Sequence, residues 1–230
     1  MQFNQIFDKM KENITNIKIK NAILEDNLDP QFDSHIQLAD YLKIKDLKLL
    51  KMTGFKKEEG DMERISEYLK STEDLKKLDF SDYGIEDEEL KSLSDSLKLN
   101  STLNWLDLSG NKIKRDNLGE ILSSIKKNNF ITKLTLSGCS IRGIEFDFIC
   151  QFLENNVNLV YLDLSENQVQ KYLKKISRSL LKNNTLKELH LCDCELTKKE
   201  MKYFSNFLKL TTSLTLLDFS CNEIKDKGNY

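Results

Sequence analysis

Residues 103–113 read LNWLDLSGNKI, and the same phrase returns down the chain. Leu103, Leu106 and Leu108 alternate with polar positions, as a short half-buried strand requires, and Asn111 and Ile113 follow in a turn. Copies begin at Leu75 (LKKLDFSDYGI), Ile131 (ITKLTLSGCSI), Leu159 (LVYLDLSENQV), Leu186 (LKELHLCDCEL) and Leu214 (LTLLDFSCNEI). With Leu103 in its place, the starts are 28 residues apart, with one step of 27. A weaker copy begins at Leu47, and ITNIKIKNAIL from Ile14 fits approximately before a longer connection through Pro30. The units therefore start near 14, 47, 75, 103, 131, 159, 186 and 214.

Between the strands the apolar period changes to that of a helix. Leu90/Leu93/Leu97, Leu118/Ile121/Leu122/Ile125, Ile149/Phe152/Leu153, Leu173/Ile176/Leu180 and Met201/Phe204/Leu208 each mark one inward stripe. Thr197 and Glu200 have the spacing of a capping box. Asn128-Asn129, Asn155-Asn156 and Asn183-Asn184 fall where helices stop, and asparagine tolerates the left-handed backbone used there. One strand–helix unit cannot bury its own apolar face, but stacked units bury a continuous core. The expected fold class is α/β. We read residues 1–230 as a single curved solenoid, with parallel strands on the concave face and helices on the convex face. Phe3, Ile6, Phe7 and Met10 have helical spacing and predict a capping helix over 1–13. The last unit reaches NEIKDKGNY without a helix, which predicts a missing cap, a makeshift one, or a partner over the open end.

Each unit follows L-x-x-L-x-L-x-x-N/C-x-L, and the ninth position runs Asn111, Cys139, Asn167, Cys194, Asn222. With a full helix in a repeat of this length, the chain resembles the ribonuclease-inhibitor subfamily of leucine-rich-repeat proteins. Tyr83 and Phe55 depart from the pattern at the ninth position, Lys57 occupies an apolar slot, and most units lack the glycine that often precedes the helix. The resemblance implies a protein-binding role on the concave face and adjoining loops. Some members inhibit an enzyme by covering its active site. The alternative it carries is a GTPase-activating protein of the Ran-directed type. The Lys/Asn/Ile-heavy composition is also similar to leucine-rich-repeat effectors of intracellular bacteria, and equally suits a housekeeping protein of an AT-rich eukaryote.

Strand alternation sends the third, fifth and seventh residues of each unit onto the concave face. The third position reads Leu49, Lys77, Trp105, Lys133, Tyr161, Glu188, Leu216, and the fifth reads Lys51, Asp79, Asp107, Thr135, Asp163, His190, Asp218. Trp105 and Tyr161 should lie about 10 Å apart with Lys133 between them, from a strand spacing of about 4.8 Å. Exposed aromatics among charges are what interface hot spots contain. The aspartate column fits a basic partner and equally fits the generic wording of such repeats. The expected protein-binding residues are Lys77, Asp79, Trp105, Asp107, Lys133, Tyr161, Asp163, Glu188, His190 and Asp218.

Composition bounds the alternatives. A net charge of -2 and the lack of aromatics interleaved with clustered bases argue against a nucleic-acid partner. No apolar run approaches the roughly 18–20 residues of a membrane span, and the first residues lack signal-peptide character, so no membrane partner is expected. The five cysteines (139, 150, 192, 194 and 221) are an odd number and read as reduced thiols in a cytoplasmic setting, which is the host cytosol for a delivered effector. No P-loop, dinucleotide glycine pattern, HExxH or CxxC occurs, so no cofactor is expected. His190, Cys192 and Asp218 are the one constellation resembling a thiol with its base. Without a pocket or oxyanion device they read as a polar binding patch. His35 reads as a packing or surface residue. The expectation is a non-catalytic module that binds another protein, with an enzyme as the sharper form of that partner.

Overall fold

The computed structural model describes residues 38–43, 47–52 and 57–224. The capping helix over 1–13, the unit from residue 14, and His35, Thr53, Phe55 and residues 225–230 lie outside them. The described chain opens with a short helix α1 (Leu38–Tyr41) and strand β1 (Leu49–Lys51). Helices and strands then alternate: α2 (Asp61–Ser71), β2 (Lys77–Asp79), α3 (Asp87–Leu97), β3 (Trp105–Asp107), α4 (Arg115–Asn128) and β4 (Lys133–Thr135). They continue with α5 (Glu145–Asn155), β5 (Tyr161–Asp163), α6 (Leu173–Leu180, after a turn of 3-10 helix), β6 (Glu188–His190), α7 (Lys198–Leu208) and β7 (Leu216–Asp218). The seven strands form one open parallel sheet in the order β1 to β7, and each helix from α2 onward packs against the next. This is an α/β leucine-rich-repeat solenoid.

The apolar residues at the first, fourth and sixth positions explain the core. Leu75, Leu103 and Ile131 at the first position are fully buried between sheet and helices, as are Leu78, Leu106 and Leu134 at the fourth and Leu108 and Leu136 at the sixth. Burying a side chain of this size contributes roughly 1.5–3 kcal/mol, so a repeat holds together only against its neighbours. At β7 this coverage thins: Leu217 and Phe219 are only partly buried, and Leu216 is 43% exposed. In α7 the inward face is Phe204 and Phe207, with Leu208 exposed, so the expected Met201/Phe204/Leu208 stripe is off by one residue at its end. Phe207 wins because its ring meets Phe204 edge-on at 5.0 Å.

Two ladders of side-chain amides stitch the units. In the first, Asn167 donates from Nδ2 to the carbonyls of Leu136, Leu164 and Ser165 at 2.8, 3.0 and 2.9 Å, and its Oδ1 accepts from Ile141 N–H at 2.8 Å. Asn111 does the same toward Phe80 and Ile85 of the preceding unit. A thiol can only donate well, and Cys139 and Cys194 reach back to Leu108 O and Leu164 O. In the Cys139 unit the main-chain carbonyl takes over as acceptor, from Ile113 N–H at 3.4 Å. The residue after each of these cysteines then turns left-handed, Ser140 at φ 57 and Glu195 at φ 56. The Asn/Cys alternation thus distinguishes two kinds of turn.

The second ladder lies at the opposite edge, three residues before each unit. Asn100, Asn128, Asn156 and Asn183 each accept from two backbone N–H groups of the strand entry, including Leu103, Ile131, Leu159 and Leu186. Asn128 and Asn183 also donate to the preceding unit. Their role is this side-chain bonding: only Asn129 of the paired asparagines is left-handed, at φ 62, while Asn156 is extended. The expected capping box at Thr197 and Glu200 is formed, and a second one joins Glu86 and Glu89. Lys57 fills its apolar slot by pairing with Glu89 at 2.7 Å and Glu86 at 3.2 Å beside the Tyr83 ring.

Asn167→Ala strips partners from Leu136 O and Ile141 N–H at once and should destabilise the protein by about 3 kcal/mol. Asn167→Cys restores the donor but not the acceptor and should cost less than alanine. Urea unfolding of the three proteins measures the order.

Candidate protein-binding face

The strand face is built by register. Lys77, Trp105, Lys133, Tyr161, Glu188 and Leu216 stand opposite one another across β2 to β7, and Asp79, Asp107, Thr135, Asp163, His190 and Asp218 form the row beside them. Because side chains of a parallel sheet repeat at every strand, each residue stands beside its neighbours in the row.

These contacts make a continuous belt. Lys77 Nζ lies 3.9 Å over the Trp105 ring, and Lys133 Nζ lies 5.2 Å from Trp105 and 5.9 Å from Tyr161. The Trp105 and Tyr161 ring centroids are 6.4 Å apart, closer than the strand spacing predicts. The reason is Thr135, a small residue in the aspartate row. Trp105 Nε1 donates to its Oγ1 at 3.3 Å, so the indole leans across β4 toward Tyr161. Tyr161 in turn packs against His190, with centroids 4.9 Å apart, and His190 Nδ1 lies 3.5 Å from Asp218 Oδ2. His190 Nε2 is buried with no hydrogen-bond partner among the described residues. Burial, followed by the charges of Asp163 and Asp107, pushes the Tyr161 hydroxyl up to about 12, so it stays protonated.

The aspartate column differs from expectation. Asp79 is 7% exposed and so does not face solvent: Lys77 lies over it, 3.9 Å from Oδ2, and Ser81 holds its Oδ1 through both backbone and hydroxyl. Asp107, Asp163 and Asp218 make the same turn, each accepting the N–H of the serine two residues on. These carboxylates close the strand exits. Burial raises the Asp107 pKa against the hydrogen bonds from Ser109, whereas Ser220, which donates from both backbone and hydroxyl, lowers that of Asp218.

The thiol–base constellation is only partly assembled. His190 sits beside Tyr161 and Asp218. The Ser220 hydroxyl lowers the Cys192 pKa, but burial, Cys221 and Asp218 outweigh it and leave the thiol above its ordinary value, the wrong direction for a nucleophile. Cys194 points into the core ladder, away from His190. Among the described residues, no three His, Cys, Asp or Glu side chains converge as metal ligands. The residue that sequence reasoning missed is Thr135, whose smallness admits the indole, while Lys77 and Lys133, both expected on this face, clamp Trp105. The row alignment alone could have found Thr135.

Comparison with known proteins agrees with the repeat geometry. Family models described as leucine-rich repeat match residues 102–128 and 212–228. The chain carries leucine-rich repeats. Over 71 residues, 30% of this chain, it is 37% identical to the mouse NACHT, LRR and PYD domains-containing protein 4E and 35% identical to the mouse protein 4C. The aligned stretch spans 7% of the length of those relatives. Among solved structures, it resembles leiomodin-1 actin-binding site 2 at a TM-score of 0.56 and 22% identity, covering 67% of this chain and 90% of that one. It also resembles the tropomodulin C-terminal domain from Caenorhabditis elegans at 0.54 and 18%, covering 63% and 90%. These likenesses concern the fold. Leucine-rich repeats typically bind other proteins.

Asp107 gives a pH test. Its folded pKa lies above the unfolded one, so its ionised form disfavours folding at neutral pH, and that penalty is relieved as the group protonates in acid. Asp107→Asn keeps the acceptor for Ser109. It should raise Tm at pH 7, with the gain shrinking toward pH 4 in thermal melts.

Proposed function

We propose that the chain binds a partner protein on its strand face, with Trp105 and Tyr161 at the centre and Lys77, Lys133, Glu188, His190, Asp163 and Asp218 around them. The observation that supports this is the unbroken belt from Lys77 to Asp218, in which two large aromatics remain half-exposed among charges. Rigid aromatic area ringed by polar groups carries much of the energy of protein interfaces. Asp79 and Asp107 belong to the scaffold of this face, since their carboxylates are held by Ser81 and Ser109.

The charges give the partner a polarity. Lys133 has two rings beside it and ion-pairs with no carboxylate among the described residues, and Lys77 shares the Trp105 ring. A partner carboxylate at the edge of Trp105 would neutralise the Lys133 ammonium, while Lys77 already lies 3.9 Å from Asp79 Oδ2. Glu188 and Asp163 at the other end favour a basic partner group. The contacting segment therefore runs from acidic at β3–β4 to basic at β5–β6. We read the partner as an enzyme regulated by being covered. The Asn/Cys alternation shared with the ribonuclease inhibitors supports this. A reducing cytoplasmic setting belongs to the same reading, supported by the thiols of Cys139, Cys150 and Cys194 buried in the core.

Affinity capture from the cells that express the chain, quantified by mass spectrometry, tests the face. Lys133→Glu and Trp105→Ala should each deplete the captured partner at least tenfold, while Lys91→Glu on the helical side leaves it unchanged. Equal capture by all three, with melting curves showing each folded, removes the strand face from the binding role.

A further inference from the structure

The cysteines divide by environment. Cys139, Cys150 and Cys194 are buried, and burial pushes their thiols up, those of Cys139 and Cys194 to about 12. The two that solvent reaches, Cys192 and Cys221, lie together. β6 and β7 pair in register, His190 opposite Asp218, and the pairing continues past the strands because Asp193 N–H donates to Ser220 O at 3.2 Å. Cys221 is then one diagonal step from Cys192. Between paired strands, a spacing of about 4.8 Å and a rise of about 3.3 Å make such a diagonal step about 5.8 Å from Cα to Cα. Disulfides span Cα separations of about 4.4–6.8 Å. The Cys192 thiol already interacts with that of Cys221 and with the Ser220 hydroxyl.

The position of Cys221 is itself unusual. It holds a left-handed φ of 57, the conformation taken by Asp82, Gly110, Gly138, Glu166 and Asp193 at the same place in earlier units. Glycine and short acidic residues suit that turn; an exposed thiol contributes nothing to packing there.

We propose that Cys192 and Cys221 form a modification site for peroxides, which convert the two thiols into an intramolecular disulfide. The thiol of exposed Cys221 loses its proton and attacks the peroxide, whose O–O bond breaks, giving a sulfenic acid and a hydroxide that takes up that proton as water. The second sulfur then displaces the hydroxyl, which leaves as a second water. Two thiols and one hydrogen peroxide become one disulfide and two waters, the two electrons passing from sulfur to oxygen, and an external dithiol reverses the step. The bond would close a loop around one whole repeat, tying α7 and β7 back to β6. It would also rigidify the end of the strand face two residues beyond His190. Reaction through the thiolate makes the conversion faster as pH rises.

The test treats the full chain with hydrogen peroxide. Titratable thiols should fall from five to three, the mass should drop by two hydrogens, and a protease digest should contain one peptide pair joined through Cys192 and Cys221. Dithiothreitol should restore all five thiols, and hydrogen exchange across residues 198–208 should slow only in the oxidised protein. Cys192→Ser and Cys221→Ser, both at accessible positions, should each abolish the joined peptide while preserving the circular dichroism spectrum. Oxygen adducts on separate sulfurs, cross-links between two chains, or pairing with a buried cysteine would each overturn the proposal.

Discussion

Asn111 and Asn167 each reach across a boundary between units, donating to a carbonyl and accepting from an N–H that the preceding turn leaves unpaired. A buried backbone group left without a partner costs about 1–3 kcal/mol, so the bonding allows little slippage between units. The asparagines at the helix-to-strand edge apply the same constraint from the other side. Between the two ladders, successive strands stay in strict register. A slip of one residue would send every core leucine outward and every concave residue inward. The surface is thus as well specified as the core.

Register turns a list of side chains into a surface. Lys77, Trp105, Lys133 and Tyr161 come from units 28 residues apart, yet they form one stack of alternating cations and rings. The same rows neutralise much of what looked like an acidic stripe. Each aspartate faces the serine two residues ahead, and the turn that results uses up one carboxylate oxygen. What is left exposed is a face with lysines at one end and Glu188, Asp163 and Asp218 at the other.

Local chemistry also decides where the repeat tolerates exceptions. Lys57 at an apolar slot is accommodated because Glu86 and Glu89 belong to the next helix start, where the capping box already holds them. Tyr83 stands in for asparagine or cysteine and buries its ring against Phe80 at 5.4 Å, though its hydroxyl finds no partner among the described residues. Gly119 in α4 is allowed its place by Phe148, whose ring would meet an added Cβ at 3.3 Å.

The fold was legible because repetition multiplies a weak signal: one L-x-x-L-x-L segment is ambiguous, whereas six at a constant period are not. Position in the repeat also predicted that Thr197 and Glu200 cap a helix and that His190 and Asp218 come together. It failed where the answer lies in a neighbouring unit. Asp79 is buried because Lys77 lies across it, Trp105 nears Tyr161 because Thr135 is small, and Phe207 displaces Leu208 because Phe204 offers its edge. The proximity of Cys192 and Cys221 is of the same kind, visible only once β6 and β7 are paired. The sequence by itself determined the period and the inward–outward alternation along each strand, since these are set within one unit. Tertiary structure alone decided burial and contact on the strand face, because lateral packing depends on the sizes and charges of residues one repeat away.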